Sequence, residues 1–143
     1  MMSAGALIFD PHENILLVRD FKRNVWSWPG GGAKNNETPL VTCRREVLEE
    51  TGLELVTPRL ISVRTETFEG SDGKLIFLFA DYLSDKALQN VRIQPDEIAE
   101  WRLVDIETAR ILMAEPLRIR FEHILAALNE KSVAYIEQGQ RSA

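Results

Sequence analysis

The sequence has few of the features that mark secreted, membrane-spanning or disulfide-stabilised proteins. Cys43 is the only cysteine among the 143 residues, so no disulfide can form within the chain and nothing indicates an oxidising compartment. No apolar run approaches the roughly 20 residues that a membrane-spanning helix needs. The N-terminus lacks a basic region and reaches Asp10 and Pro11 too early for a signal peptide. These absences predict a soluble, cytoplasmic protein with no membrane partner.

The chain also has fewer basic than acidic residues. The chain carries 17 Lys and Arg against 22 Asp and Glu, a formal net charge of −5. Because binding to a nucleic-acid backbone needs clustered Lys and Arg, the balance argues against an extended nucleic-acid partner. A small anionic substrate stays compatible with it, since a bound divalent cation can reverse the local field.

The order of apolar runs and turn residues predicts one α/β domain over residues 1–143, long enough to bury a core. The turn residues 10–14 separate the first two strand candidates, and 70–73 form a hairpin loop between two later ones. The predicted strands are Ala4–Phe9, Ile15–Val18, Leu60–Phe68, Leu75–Leu83 and Ile98–Val104.

Three segments have the pattern of helices. Thr38 can cap the first, Pro39 suits its opening position, and Gly52 after Thr51 is a natural end. A second is predicted over Asp105–Met113. A third begins at about Pro116 with apolar side chains along one stripe, and the polar tail from about Glu137 is expected to fray. The stripe consists of Leu117, Phe121, Leu125 and Leu128.

The helix from Thr38 to Thr51 crowds three carboxylates, those of Glu46, Glu49 and Glu50, onto one side. At about 100° per residue they occupy one arc with Thr42 among them. The apolar arc is expected to bury against a sheet while the acidic arc faces away from it; it comprises Leu40, Val41, Val47 and Leu48. Several carboxylates beside a glycine-rich turn that can offer a carbonyl oxygen indicate a hard-cation site for phosphate chemistry.

The spacing around these acids is specific. Five residues separate Gly31 from Glu37, and seven more precede Arg45-Glu46-Val47, Glu49-Glu50 and Gly52-Leu53. This pattern resembles the complete signature of the Nudix hydrolases, and the likeness extends over roughly residues 3 to 128. The resemblance implies an α/β/α sandwich with a mixed central sheet, in which the signature forms a loop–helix–loop unit that holds metal and pyrophosphate.

The resemblance also implies roles for individual residues. Glu46, Glu49 and Glu50 would bind Mg²⁺, or Mn²⁺ as a substitute, together with the main-chain carbonyl of Gly30. Glu97 is our choice for a further acidic ligand, with Asp96 and Glu100 as rivals. Glu37 and Arg45 would form a supporting pair, since a charge-assisted hydrogen bond can orient a ligand carboxylate. Glu46, central on the acidic arc, is the candidate general base.

Substrate-binding candidates lie before and within the signature. The aromatic residues Phe21, Trp26 and Trp28 can stack on a base, although aromatics beside a strand are more often core. Arg19, Lys22, Arg23 and Lys34 are candidates for outer phosphates, although cations in turns are usually just solvated. The backbone at Gly31 can approach a ligand closely.

The expected activity is hydrolysis of the pyrophosphate linkage in a nucleoside diphosphate-linked substrate. Residues 67–71 lack the tyrosine and the proline that mark two Nudix subgroups, which favours nucleoside triphosphates, including oxidised ones, giving a monophosphate and pyrophosphate. The alternatives are an ADP-ribose or nucleotide-sugar pyrophosphatase, and a non-catalytic domain that senses a nucleotide. A homodimer is left open.

Overall fold

Helices pack on both faces of one mixed β-sheet in the computed structural model, which describes residues 1–67, 69–70, 72–137 and 140–141. The strands in these residues are β1 (Met2–Phe9), β2 (Ile15–Asp20), β3 (Trp26–Ser27), β4 (Gly30–Gly32), β5 (Arg59–Glu66), β6 (Lys74–Tyr82), β7 (Ile98–Val104), β8 (Ala134–Glu137) and β9 (Gln140–Arg141). The helices are α1 (Pro39–Thr51), α2 (Asp85–Leu88), α3 (Ile106–Leu112) and α4 (Glu115–Glu130). The predicted fold class, an α/β/α sandwich with a mixed central sheet, is confirmed.

The strand order across the sheet is β3-β2-β1-β6-β5-β8-β9. β1 runs parallel to β6, and β5 runs parallel to β8, whereas neighbouring pairs such as β1–β2 and β5–β6 are antiparallel. Two further strands lie off this path, because β4 pairs with the N-terminal half of β1 and β7 pairs with β2. The glycine-rich strand β4 therefore lies beside β1, in the interior of the sheet.

Both faces of the sheet are buried, which explains the continuous apolar runs of β1 and β2. Alternate residues of β1 enter different cores, since side chains of a strand alternate between its faces. Leu7 packs with Phe121 and Ile124 of α4 on one face. Ile8 packs with Cys43 and Val47 of α1 on the other. The sheet thus holds α1 and α4 on opposite sides of β1.

Helix α1 begins and ends where the sequence predicts. The side chain of Thr38 accepts a hydrogen bond from the N–H of Val41 at 3.2 Å, and Gly52 ends the helix with a left-handed φ of 74°. The predicted buried face is wrong, however, except at Val47. Val41 and Leu48 are 50% and 48% exposed, Leu40 is 36% exposed, and Glu50 is only 8% exposed.

The reason is the neighbour that α1 packs against. The small and medium side chains of Cys43 and Val47 fit against β1, while Glu46 and Glu50 lie against β4. A strand of three glycines offers backbone instead of side chains, so it accepts carboxylates where the helical pattern alone predicts apolar packing. The part of the acidic arc that carries Glu46 and Glu50 is therefore turned towards the sheet, whereas Glu49 and the stripe of Val41 and Leu48 are exposed.

The C-terminal region differs from the prediction in one respect. α4 begins at Glu115, one residue before the predicted start, and α3 occupies Ile106–Leu112 of the helix predicted over Asp105–Met113, with Asp105 as its N-terminal cap. The tail was expected to fray from Glu137, but Glu137 ends strand β8, whose residues pair with β5, and residues 140–141 pair with β8. The remaining tail positions 138–139 and 142–143, together with positions 68 and 71 of the predicted hairpin, lie outside the described residues.

α4 has 16 residues. Among the helices that the structure describes, neither it nor any other combines the length and the apolar character required to cross a bilayer.

Candidate active site

The backbone of β4 is directed at α1. Gly5 and Gly30 are opposite each other, and the bond from the N–H of Ala6 to the carbonyl of Pro29 shows that this pair does not exchange ladder hydrogen bonds. The N–H and carbonyl of Gly30 therefore point away from β1. The N–H donates to Oε2 of Glu50 at 3.0 Å. The carbonyl of Gly30, predicted as a metal ligand, is directed to the same side.

Gly31 allows one of the predicted metal ligands to lie directly against the strand. A Cβ added at Gly31 would be 2.5 Å from Cδ of Glu46 and 2.7 Å from each of its carboxylate oxygens. Any other residue would have to move that carboxylate, because real Cβ contacts are not this short. The absence of a side chain at Gly31 therefore leaves the space that the Glu46 carboxylate occupies.

The guanidinium group of Arg45 connects three of the acidic residues. Its Nε donates to Oε2 of Glu37 at 2.7 Å, and its Nη2 donates to the carbonyl of Gly32 at 2.9 Å. Its Nη1 donates to Oε1 of Glu46 at 3.0 Å and to Oε2 of Glu49 at 3.2 Å. The structure thus brings together the proposed supporting pair and two of the three proposed ligands on helix α1.

Burial alters the proton affinity of these carboxylates. It raises the pKa of Glu50 to about 8, against the opposing hydrogen bond from Gly30, and the charges of Glu46, Glu97 and Asp20 raise it further. Burial also raises the pKa of Glu46, which Arg45 partly offsets. Burial therefore favours the protonated form of Glu50, and a cation bound nearby would favour the carboxylate instead.

The donor set is suited to a hard divalent cation. In the described part of the chain no three Asp, Glu, His or Cys side chains converge closely enough to hold a metal as they stand. Arg45 occupies one oxygen of Glu46 and one of Glu49. The available donors are carboxylate and carbonyl oxygens, the ligands that Mg²⁺ and Ca²⁺ prefer. The residues fit such a cation once the arginine releases those oxygens.

Of the three candidates for a further acidic ligand, Glu97 is the one whose charge raises the pKa of both Glu46 and Glu50. Glu100 instead pairs with Arg19 at 3.5 Å, and Asp96 is exposed in the turn before β7. Asp20, which sequence reasoning missed, raises the pKa of Glu50 and lines a cavity of about 260 Å³ with Lys22 and Glu97. The one sequence feature that could have pointed to Asp20 is its position at the end of a buried strand.

Trp28 and Gly31 line a cleft of about 230 Å³ that also contains Gly30, Gly32 and Lys74. Lys74, at the start of β6, was not among the sequence candidates. Its position follows from the parallel pairing of β6 with β1, which places residues distant in sequence at one edge.

The other substrate-binding candidates are placed differently. The guanidinium groups of Arg19 and Arg102 lie 6.0 and 5.8 Å from the ring centre of Trp26. Phe21 is 63% exposed in the turn after β2. Nζ of Lys34 is 3.9 Å from Glu49, and Arg23 pairs with Asp20 at 3.7 Å.

Replacing Glu37 with glutamine is expected to lower the stability of the protein at neutral pH, and less so in acid. Hydrogen bonds from Arg45 and the N–H of Lys34 lower the pKa of Glu37 to about 2, from an ordinary value near 4.5. A lowered pKa stabilises the folded state above pH 4.5, and this contribution is lost as the pH falls through 2. Urea unfolding at pH 7, 4 and 3 measures the difference between the variant and the natural protein.

The difference in the free energy of unfolding between the Glu37→Gln variant and the natural protein should become smaller as the pH falls. The matched control is Glu54→Gln, at an exposed glutamate after α1, which should show no such dependence. A stability difference that is constant from pH 7 to pH 3 would contradict the role assigned to the Glu37–Arg45 pair.

Comparison with known proteins identifies the family. The NUDIX domain model matches residues 1–128. The chain is 27% identical over 118 residues to a MutT-like protein of Streptomyces ambofaciens, a match that covers 79% of this chain and 75% of that protein. It is 36% identical over 74 residues to nucleoside diphosphate-linked moiety X motif 6 of Xenopus laevis. That match covers 50% of this chain and 34% of the Xenopus protein, about a third of its length.

A solved structure shows the same fold. The NUDIX domain of NrtR from Shewanella oneidensis, crystallised with ADP-ribose, superposes with a TM-score of 0.71 at 16% identity. The superposition covers 92% of this chain and 87% of that one. With the family match over most of its length, the chain belongs to the Nudix hydrolase family.

Proposed function

We propose that this protein hydrolyses the pyrophosphate linkage of nucleoside triphosphates, including oxidised ones, to a nucleoside monophosphate and pyrophosphate. The observation that carries the proposal is the packing of Glu46 and Glu50 against the glycine backbone of β4, next to the cleft that holds Trp28 and Lys74. Acidic oxygens beside a cleft with an aromatic face and a cation suit a base, a sugar and a metal-bound diphosphate.

Nudix hydrolases generally use divalent metal ions. In this proposal Glu46, Glu49, Glu50 and the carbonyl of Gly30 hold Mg²⁺, which Mn²⁺ can replace, and Glu97 completes the site. When bound, such an ion neutralises charge on the diphosphate and makes a bound water more acidic. Arg45 then keeps its bond to Glu37, so helix α1 retains its position against β4.

The residues of the chain carry the proton transfer. Glu46 accepts a proton from the attacking water while the water oxygen forms a new bond to the α-phosphorus. The bond from that phosphorus to the bridging oxygen breaks, and its electron pair leaves with pyrophosphate. A positioned base of this kind contributes typically about 10²–10⁴-fold to the rate.

Hydrolysis of a nucleotide panel, with and without Mg²⁺, tests the proposal. We expect turnover that depends on the metal, with monophosphate and pyrophosphate as products resolved by ion-exchange chromatography. No turnover on any triphosphate would contradict it. Nucleotide binding detected by calorimetry without product would favour the alternative, a non-catalytic sensing domain.

The second candidate is hydrolysis of ADP-ribose or of a nucleotide sugar. It is favoured by the similarity to the Shewanella domain, which was crystallised with ADP-ribose. The same panel separates the two, because an ADP-ribose or nucleotide-sugar substrate would give a monophosphate and a sugar phosphate instead of pyrophosphate.

We propose further that residues 1–143 act as one domain in the cytoplasm. Two observations support a single domain over these residues. The family match ends at residue 128, but β8 continues the same sheet by pairing with β5, and α4 packs on both strands.

A further inference from the structure

A second cavity, of about 80 Å³, lies between the sheet and α4. This cavity adjoins the cleft beside β4, because Trp28 and Ile76 line both. A single water needs only about 10–15 Å³ measured in this way, so the cavity admits a group of several heavy atoms. Its remaining walls are mostly apolar, formed by Leu78, Ile124 and Ile136.

Two arginines interrupt this apolar wall. Arg64 of β5 and Arg120 of α4 line the cavity, and their side chains are 13% and 27% exposed. Both contact the same oxygen of Glu66, Arg120 through Nη2 at 3.4 Å. Burial and the charge of Arg120 lower the pKa of Arg64 to about 10, so both remain protonated at neutral pH. Two cations thus share one carboxylate, which leaves excess donor capacity at the cavity.

Resting on the proposed function, we propose that Arg64 and Arg120 select the base of the nucleotide, favouring keto bases such as guanine and uracil over the amino bases adenine and cytosine. A guanidinium group has five N–H donors and no acceptor. Guanine offers O6 and N7 as acceptors, and the carbonyl at position 4 gives uracil one as well. Adenine keeps N7 but presents an amino donor in place of O6, and cytosine presents an amino donor at position 4, so each meets the arginine donors unfavourably at that atom.

A base suits this cavity better than a further phosphate group. The two arginines already share the negative charge of Glu66, so they would neutralise only part of a phosphate group of charge near −2. The rest of the wall is apolar and could not compensate the remaining negative charge. A flat ring with apolar faces and acceptor atoms at its edge matches Trp28, the aliphatic walls and the two donors together. Trp28, bordering both cavities, is in place to contact the ring while the phosphates lie nearer β4.

The test compares kcat/KM for substrates matched in sugar and phosphate, GTP with ATP and UTP with CTP, at saturating Mg²⁺. We expect the keto member of each pair to be favoured at least about 10-fold, because a good arginine–base pair discriminates by about that factor or more. Arg64→Met and Arg120→Met should each bring the ratio to within about 3-fold, by lowering kcat/KM for the keto substrate. Arg118→Met, at an exposed arginine of the same helix α4, should keep the ratio of the natural protein.

Equal kcat/KM within each pair in the natural protein, or an unchanged ratio in both arginine variants, would overturn the proposal. Arg120 is less buried than Arg64, so its variant provides a readout if Arg64→Met fails to fold, which circular dichroism detects.

Binding of GMP and AMP, followed by calorimetry, separates this inference from the proposed hydrolysis. Tighter binding of GMP that is lost in the arginine variants, without turnover of any triphosphate, would remove the hydrolase proposal and leave base selection standing. Turnover of triphosphates without a preference between bases would support the hydrolase proposal and remove the proposal of base selection. Absence of binding by either monophosphate, together with no turnover, would overturn both.

Discussion

Glu50→Gln is expected to lower kcat by about 10²-fold or more while the metal-free protein becomes more stable at alkaline pH. The substitution keeps an oxygen that can accept the N–H of Gly30, which Glu50 now accepts at 3.0 Å. It removes the negative charge that we propose helps to hold the divalent cation. Loss of activity and gain of stability from one isosteric change would show that this buried carboxylate serves the chemistry at the expense of the fold.

The direction of the stability change follows from the raised pKa. Burial raises the pKa of Glu50 to about 8, above the ordinary value of 4.5, so the folded state binds this proton more tightly than the unfolded state does. The resulting stabilisation is complete below pH 4.5 and is lost as the pH rises through 8. At pH 9 the variant should therefore gain on the order of a few kcal/mol over the natural protein, and almost nothing at pH 4.

Steady-state kinetics and chemical denaturation in the presence of a chelator measure the two effects. Glu54→Gln, at an exposed position just beyond the same helix, is the matched control and should change neither quantity. Retention of kcat within about 3-fold in Glu50→Gln would show that this carboxylate has no part in the reaction, since even an outer-shell partner of a metal ligand contributes about 10-fold or more.

Gly31→Ala is expected to lower kcat by about 10²-fold with little effect on folding. The new methyl group would occupy the space of the Glu46 carboxylate, at 2.5 Å from Cδ. The carboxylate is the end of a flexible side chain, so it can rotate away without disturbing the helix or the sheet. A displacement of about 1 Å in a catalytic group can itself cost about 10²-fold in rate.

Gly32→Ala provides a closely matched control in the same strand. A Cβ at Gly32 meets no atom within 4 Å, so this variant should leave the Glu46 carboxylate in place and lose much less activity than Gly31→Ala. Kinetics at saturating metal, together with thermal unfolding of both variants, would measure the difference. Equal activity of the two alanine variants would contradict the placement of Glu46 against β4 as a requirement for the reaction.

The features that the sequence predicts well are those encoded by neighbouring residues. Thr38, Pro39 and Gly52 mark the ends of α1 through local capping chemistry, and the spacing within the signature sets the positions of Glu46, Glu49 and Glu50 on it. The orientation of that helix could not be predicted in the same way. It depends on β4 offering backbone N–H groups and an open surface, which drew Glu50 into the interior and left Val41 and Leu48 outside.

The residues that the sequence did not single out are brought together by pairings between distant segments. Lys74 reaches the cleft because β6 runs parallel to β1, and Arg64 meets Arg120 because α4 packs on β5. Neither arrangement leaves a periodic pattern within one segment. Asp20 and Glu97 likewise lie on two segments that meet where the N–H of Phe21 donates to the carbonyl of Glu97 at 2.8 Å.

The guanidinium of Arg45 acts as a resident counter-ion for helix α1. Because it already neutralises Glu37, Glu46 and Glu49, the proposed binding of a divalent cation would exchange an internal cation for an external one. Under that proposal, the affinity for the ion would be set by competition with this arginine. Such an exchange would let helix α1 keep its position against β4 from one catalytic cycle to the next.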